Sequence, residues 1–192
     1  MRSLSVLADS SSGFTYLLRA ATLKALVVCA WVSIARADHD DPQLPGLFES
    51  LKAARVPAQG QRIAEVWNQH DNQGVDEITQ QGRVFLARSR LRLAQGNFTT
   101  VTRVSPGFAE AWNKRASVLY RMGRLDDSAR SIAETLAREP RHFLAIAGLG
   151  LIYLQTVDLE EALRAFDYAL GINPHLAGTR VAADKIRQRL SP

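Results

Sequence analysis

The chain has 192 residues, a formal net charge of +5 and 46% hydrophobic residues. This length suits one domain, and the apolar fraction is high enough for a packed core, which excludes a globally disordered chain. A single cysteine excludes a disulfide framework within the chain. The abundance of Ala, Leu and Arg, with only seven prolines, favours helices over strands and predicts an all-α fold.

The first 37 residues have the pattern of a cleavable secretory signal. Basic residues precede an apolar run over residues 25–34, and Ala35-Arg36-Ala37 provides a small-x-small cleavage pattern. The run is shorter than the ~20 residues that a membrane-spanning helix needs. We therefore predict a cut after Ala37 and a periplasmic or secreted mature protein, with an uncleaved membrane anchor as the alternative.

Lipid attachment at Cys29 is not expected, because Val28 stands where a small residue would be required. Cleavage after Ala37 removes four basic residues, one acidic residue and the only cysteine, so the net charge falls from +5 to +2. Such a weakly basic domain gives no argument for a nucleic-acid partner. No membrane span is expected after cleavage.

A 34-residue repeat organises the second half of the chain. A step of 34 residues aligns small residues with small ones, large apolar residues with large apolar ones, and proline with proline. The aligned pairs are Trp112 with Ile146, Ala116 with Gly150, Leu119 with Tyr153, Leu125 with Leu159, Ser128 with Ala162, Ile132 with Phe166, Leu136 with Leu170, and Pro140 with Pro174. Each copy predicts two helices that cross closely at the small residues, and the proline closes the second helix.

This pattern resembles the tetratricopeptide repeat family over residues 109–174. The residues that carry the resemblance are Trp112, Ala116, Gly123, Pro140, Gly150, Tyr153, Ala162, Phe166, Ala169 and Pro174. Arg115 and Thr135 depart from the family pattern, which has an apolar and a small residue there. The resemblance implies an α-solenoid of antiparallel helix pairs whose concave face binds a peptide or protein. The layout is similar to that of small exported tetratricopeptide proteins of Gram-negative bacteria.

The expected organisation has four parts. They are a signal peptide over 1–37, an N-terminal helical hairpin over 38–74, repeats over 75–174, and a C-terminal capping helix over 177–192. The repeat units are 75–108, which is degenerate, 109–142 and 143–176. The hairpin is predicted from the helical spacing of Leu44, Leu47, Phe48 and Leu51 and of Ile63, Val66 and Trp67. We expect this hairpin to cover the open end of the stack.

Two registers compete in the first unit. The 34-residue step places Gly82 and Ala94 at the small positions, but Gly96-Asn97-Phe98 is similar to the turn Gly123-Arg124-Leu125. Gly96-Asn97 is the stronger helix breaker. We therefore predict one long helix over roughly residues 76–95 and a short second helix over 98–104.

The concave face is the expected partner-binding site. The resemblance assigns to it Leu144, Ala147, Leu151, Leu154, Asn113, Ser117 and Tyr120. The third unit carries no amide or cation at these positions, so the carboxylate clamp of some family members is not expected. An apolar partner segment is expected instead. The competing interpretation is that the last helix or the hairpin covers these leucines.

The sequence provides no catalytic constellation and no metal or cofactor motif. His39, His70, His142 and His175 do not pair at i+3 or i+4, and they are interpreted as solvated histidines. The pairs Asp126-Asp127 and Glu160-Glu161 fall in the first turn of second helices, where negative charge complements the helix dipole. They therefore have a structural explanation.

The densest basic run consists of Arg83, Arg88, Arg90 and Arg92. On a continuous helix Arg88 and Arg92 share a face, and the run is interpreted mainly as a solvated helix surface, with a site for an anionic partner as the alternative. The function expected overall is that of a non-enzymatic interaction module in the bacterial cell envelope. The alternative is a self-associating structural subunit of an envelope complex.

Overall fold

The structure is a computed structural model that describes residues 43–53 and 58–191. The signal predicted over residues 1–37 lies outside the described residues. Within them the chain is all-α. The helices are α1 (Leu44–Ala53), α2 (Ala58–Trp67), α3 (Gln73–Ala87), α4 (Leu91–Val104), α5 (Ala109–Arg121), α6 (Leu125–Arg138), α7 (Phe143–Gln155), α8 (Leu159–Ile172) and α9 (Ala177–Leu190).

Three helix pairs form the stack, and their turns repeat every 34 residues. The turn residues Ser89, Gly123 and Val157 all have a positive φ, of 56°, 74° and 63°. The same six-residue hydrogen bond closes each turn, from Arg90 N to Phe85 O at 2.8 Å in the first unit. Its equivalents run from Arg124 N to Leu119 O and from Asp158 N to Tyr153 O, both at 2.9 Å. The left-handed residue and this bond form the helix C-terminal motif that glycine usually provides.

The prediction of one long helix over residues 76–95 is therefore wrong. The first unit follows the 34-residue step, and its turn lies at Arg88-Ser89-Arg90. Serine adopts the left-handed conformation there at a cost of about 1–2 kcal/mol, which tertiary packing offsets. Gly96 lies inside α4, where a Cβ would contact nothing within 4 Å. The prediction failed because Gly96 lies at an exposed position inside a helix, whereas the turn at Ser89 contains no glycine.

Small residues allow close crossing within each unit. A Cβ on Gly150 would lie 2.5 Å from the ring of Phe166, and one on Gly82 would lie 3.0 Å from the ring of Phe98. In the second unit Ser128 Oγ donates to the backbone oxygen of Ala116 at 2.8 Å. The second helix thus covers the small residue of the first helix in each pair.

Arg115 and Thr135, the two residues that depart from the family pattern, both form hydrogen bonds with Ser131. Arg115 Nη1 donates to Ser131 Oγ at 2.7 Å, and Thr135 Oγ1 donates to the backbone oxygen of Ser131 at 2.9 Å. Both Ser131 and Thr135 are buried. The polar residues are tolerated here because they satisfy one another's hydrogen bonds.

The N-terminal hairpin packs on the third unit, not on the open end of the stack. Leu44, Leu51 and Trp67 share a buried apolar cluster with Phe143, and Ile172 packs against that cluster. The expectation that the hairpin covers the open end is thus contradicted. The open end carries Glu77 and Gln81, which are polar and exposed. The residues at the position of Glu77 in the second and third units are Ala111 and Ala145, and both are buried. A polar outer face of this kind needs no cover.

The last helix, α9, lies against α8 and buries Ala183 and Ile186. On its outer side Asp184 and Arg187 form an ion pair, with Arg187 also pairing with Asp167 of α8. This polar outer face is the one expected of a terminal helix. Across residues 43–53 and 58–191, no helix is both long enough and apolar enough to cross a membrane.

Candidate partner-binding groove

The inner layer of the stack is formed by the first helices of the units. Helix α5 packs against α7 and also contacts α3, in addition to its partner within the unit. Residues one repeat apart therefore form rows across the inner face. Such a layer of successive first helices provides the extended concave surface of a helical solenoid.

Three of these rows define the groove. Thr79, Asn113 and Ala147 form its buried floor. Arg83, Ser117 and Leu151 form an exposed row beside it, and Leu86, Tyr120 and Leu154 form a partly buried row. The exposed row changes from charged to apolar along the stack, so the third unit is the apolar end of the groove.

The apolar end is open to solvent at two leucines. Leu144 is 37% exposed and Leu151 is 39% exposed, and the two lie two turns apart on one face of α7. Leu154 is partly buried and packs against the main core. The described helices thus leave a little more than a third of each of these two side chains open to solvent.

Two of the residues that were assigned to the binding surface are buried instead. Ala147 belongs to the core, where it is 9% exposed. Asn113 is 5% exposed, and its amide Nδ2 donates to Glu110 Oε2 at 2.8 Å. These positions support the floor of the groove, and a partner would meet Leu144, Leu151 and Ser117 instead.

A buried polar network lies beside the floor of the groove. Lys114 Nζ pairs with Glu110 Oε1 at 2.7 Å, and His142 Nε2 lies 3.0 Å from Glu110 Oε2. Because the backbone N–H of Ala145 donates to His142 Nδ1, Nε2 is the nitrogen that donates to Glu110. Burial alone would raise the pKa of Glu110, but the hydrogen bond from His142 and the charge of Lys114 outweigh it and lower that pKa to about 2.

Sequence reasoning missed this network because it treated His142 as a solvated turn residue, which is wrong. His142 is fully buried, and its ring stacks on Trp67 with the ring centroids 4.0 Å apart. Its position directly before α7 indicated a helix cap, but its burial depends on the distant hairpin. Of the predicted carboxylate pairs, Asp126-Asp127 and Glu160-Glu161 do lie in the first turns of α6 and α8. That prediction is confirmed.

The other residues chosen for the repeat lie in the stack. Trp112 is partly exposed, and its Nε1 donates to the backbone oxygen of Pro106 at 2.9 Å. Tyr153, Ala162 and Phe166 are buried in the main core, while Pro140 and Pro174 each follow the C-cap residue of α6 and α8. Within the part of the chain that the structure describes, no group of three or more His, Cys, Asp or Glu side chains is placed to hold a metal ion.

Paired helices at a 34-residue period and an inner face of first helices define an α-solenoid of the tetratricopeptide type. A tetratricopeptide repeat family model matches residues 79–131 and 113–177, together more than half of the chain. The chain therefore belongs to the tetratricopeptide repeat family. It is also similar to a TPR repeat-containing protein of Rhizobium etli, with 29% identity over 136 residues, which cover 69% of this chain and 67% of that protein.

Several solved structures share the fold. The first TPR of Spaghetti (RPAP3) bound to the HSP90 peptide SRMEEVD has a TM-score of 0.59 at 19% identity, covering 64% of this chain and 97% of that one. The TPR2B domain of yeast Sti1 in a pHsp70 complex has a TM-score of 0.56 at 15% identity, covering 62% and 99%. MamA has a TM-score of 0.56 at 15% identity, covering 80% and 85%.

Proposed function

We propose that this protein is a non-enzymatic interaction module whose groove binds an apolar segment of a polypeptide partner. The observation that carries the proposal is the exposure of Leu144 and Leu151 on the inner face of α7. A helix that is apolar on nearly every side is normally buried. Two leucines left open on a concave surface provide anchoring points for apolar side chains of a bound segment.

The comparisons support a peptide as the class of partner. The RPAP3 domain and the Sti1 domain share this fold and were solved with an HSP90 peptide and with pHsp70. Those partners belong to those proteins. What the proposal takes from them is that a domain of this fold can bind a polypeptide segment.

The non-enzymatic part of the proposal rests on the position of the titratable groups. Glu110 and His142 form an acid–imidazole pair with 3.0 Å between Oε2 and Nε2, and both are almost fully buried. Trp67 stacks directly on the imidazole. A substrate cannot reach this pair, because a candidate acid or base must come within hydrogen-bonding reach of the reacting group.

The groove is tested by charging its two open leucines. Leu144→Lys combined with Leu151→Lys should leave the melting temperature nearly unchanged, because both side chains are more than a third exposed. In a pull-down from envelope extract, the variant should lose a protein that the unmodified chain retains. The matched control is Leu93→Lys with Leu190→Lys, two leucines that are 48% and 44% exposed outside the groove. Retention of the same protein by the groove variant would contradict the proposal.

Self-association is the second candidate, and the same two exposed leucines favour it. If a second copy covers them, the unmodified chain should be a dimer in light scattering at micromolar concentration. The Leu144→Lys and Leu151→Lys variant should then be a monomer. A monomeric unmodified chain excludes this candidate and leaves the groove for a different polypeptide.

We further propose that the protein is exported and acts in the bacterial cell envelope. The support is the basic front, the apolar run over 25–34 and the pattern Ala35-Arg36-Ala37, all of which precede the described residues. Cell fractionation followed by N-terminal sequencing tests this proposal. Protein from the envelope fraction should begin at Asp38, whereas a start at Met1 with membrane retention would indicate an uncleaved anchor.

A further inference from the structure

The first repeat unit has an unusual distribution of charge. Residues 78–109 contain five arginines and no aspartate or glutamate. None of these five arginines has a carboxylate partner among the described residues, and Arg83 instead donates to the amide oxygen of Asn68 at 3.0 Å. The first unit as a whole has five arginines against two carboxylates, Asp76 and Glu77, which both lie near the start of α3, away from the turn.

The other units provide an internal comparison. Arg124 pairs with Asp127 in the second unit, and Arg138 pairs with Glu134 at 2.6 Å. In the third unit Arg164 pairs with Glu161. Arg124, Arg130, Arg138 and Arg164 of the other two units thus pair with a carboxylate three or four residues away, whereas no arginine of residues 78–109 does.

Four arginines lie at the turn between α3 and α4 or reach it from the second unit. Arg88 and Arg90 flank Ser89, and Arg92 lies in the first turn of α4. Arg121 reaches this turn from the second unit, where its Nη1 donates to the backbone oxygen of Leu86 at 2.8 Å and its Nη2 donates to Ser89 Oγ at 2.9 Å. All four arginines are exposed. We call Arg88, Arg90, Arg92 and Arg121 the arginine turn.

The repeat itself does not require arginine here. The residues one and two repeats after Arg92 are Asp126 and Glu160, each in the first turn of its helix. A carboxylate in that position interacts favourably with the helix dipole, whereas the arginine opposes it. Mutual repulsion of the four guanidinium groups adds to this cost, and a bound anion would relieve both.

We propose that the arginine turn binds an acidic segment of a polypeptide. Guanidinium groups bind carboxylates in a bidentate manner, and four of them around one turn match a short run of Asp or Glu side chains. This surface lies on the turn side of the stack and does not depend on the proposed role of the groove. Its partner is recognised by charge, whereas the groove recognises apolar side chains.

The neighbouring turns favour a narrow polypeptide over an anionic membrane. Along the same edge, the arginine turn is followed by Asp126 and Asp127 and then by Glu160 and Glu161. Asp127 and Glu161 are paired with arginines, but Asp126 and Glu160 are exposed without such a pair among the described residues, and a flat anionic bilayer that contacts the first turn would be repelled by them. An extended acidic segment can contact the first turn alone.

Nucleic acid is a poorer match for the same surface. Single-stranded nucleic acids bind through aromatic side chains on which bases stack. In residues 78–109 the aromatic side chains Phe98 and Phe108 are buried, and Phe85 is partly buried. No exposed stacking platform accompanies the arginines in this segment.

The test uses the full chain and a fluorescein-labelled peptide of eight glutamates, with binding measured by fluorescence anisotropy. Arg88→Glu, Arg90→Glu and Arg92→Glu together should weaken binding by at least about tenfold. Binding to the unmodified chain should also weaken as NaCl rises from about 50 to about 200 mM, because salt screens exposed charges. The triple variant should melt close to the unmodified chain, since the two carboxylates at the start of α4 offset the one at the end of α3 and all three positions are exposed.

The control carries the same change of net charge elsewhere on the surface. Arg62→Glu, Lys185→Glu and Arg189→Glu alter three exposed residues outside the first unit, and binding should change less than about threefold. If peptide binding is weakened equally in both variants, binding depends only on the overall charge of the protein, and the proposal is overturned. Binding to vesicles of equal parts phosphatidylglycerol and phosphatidylcholine, without binding to the peptide, would overturn it in favour of a membrane.

Discussion

The imidazole of His142 and the carboxylate of Glu110 form a buried hydrogen bond of 3.0 Å between Nε2 and Oε2. Glu110 lies at the start of α5 and His142 is the N-cap of α7, so the bond joins the first helix of the second unit to the start of the first helix of the third. Trp67 covers the imidazole from the hairpin side. One pair of residues thereby connects the second unit, the third unit and the N-terminal hairpin.

This pair should make stability depend on acid pH. The pKa of Glu110 falls from 4.5 to about 2 on folding, so its contribution is complete above about pH 4.5 and is lost as the pH falls toward 2. Glu110→Gln should reduce the free energy of unfolding at pH 7 by on the order of 3 kcal/mol, and by much less near pH 2. Urea unfolding at pH 7, 4 and 2.5, followed by circular dichroism, measures the difference.

Glu134→Gln is the matched control, because the side chain of Glu134 is half exposed and pairs with Arg138 on the surface. Its cost should remain below about 1 kcal/mol at every pH. If Glu110→Gln has the same pH dependence as the unmodified chain, the carboxylate is not held in its charged form by this network.

Gly150→Ala should destabilise the protein even though alanine favours helices. The new Cβ would lie 2.5 Å from the ring of Phe166, which is buried and has no room to move. Overpacking of this kind costs about 1–3 kcal/mol. Gly96→Ala, also inside a helix but with nothing within 4 Å of its Cβ, should stabilise by about 0.5–1 kcal/mol. If Gly150→Ala has the higher melting temperature of the two variants, then α7 and α8 do not cross closely at Gly150.

Val157→Gly should stabilise the protein. Val157 has a φ of 63°, in the left-handed region where a β-branched side chain is strained, and the equivalent turn residue one unit earlier is Gly123. Relief of the backbone strain contributes about 1–2 kcal/mol, which exceeds the cost of the extra conformational entropy that glycine gives the unfolded chain. The free energy of unfolding should therefore rise by about 0.5–1 kcal/mol. The reverse change, Gly123→Val, should lower the midpoint of urea unfolding. No gain in the first variant would mean that the turn accommodates valine without strain.

Trp67→Ala should release the hairpin from the repeats. Trp67 is fully buried between the ring of His142 and that of Phe143, whose centroid is 4.9 Å away. Removal of a buried tryptophan costs about 3–5 kcal/mol. Limited proteolysis should then cut between α2 and α3 while residues 73–190 stay protected. Arg62→Ala, on the exposed face of α2, should leave the protection pattern unchanged. Loss of protection across the whole chain would instead mean that hairpin and repeats unfold together.

The repeats could be predicted from the sequence because the residues that define them contact residues nearby in the chain. The 34-residue alignment of Ala116 with Gly150 and of Ile132 with Phe166 reflects contacts between adjacent helices of one unit. The unit expected to begin at residue 143 does begin with a helix at Phe143. Each of these features depends on neighbours fewer than about 40 residues away, which a period makes visible.

The first unit shows where local signals mislead. Gly96 is a strong breaker by residue type, yet it lies inside α4, while the turn is made by Ser89. The interaction that selects Ser89 is the stacking of the first unit on the second, including the bonds from Arg121 to Leu86 and Ser89. Tertiary packing overrides a local preference of about 1 kcal/mol. The same change of register converts Arg88 and Arg90 from residues of one helix into residues of a turn.

The sequence by itself determined the all-α class, the 34-residue period and the small residues at the helix crossings, because these are set by side-chain size and periodicity along the chain. Only the tertiary structure decided where the hairpin docks, that His142 and Glu110 are buried together, and that Leu144 and Leu151 remain open. Those outcomes depend on contacts between segments far apart in the chain. Trp67 and His142, for example, are 75 residues apart, and their stacking follows no repeat. Burial of such a pair is a property of the assembled stack, since no local pattern encodes which surface the hairpin will cover.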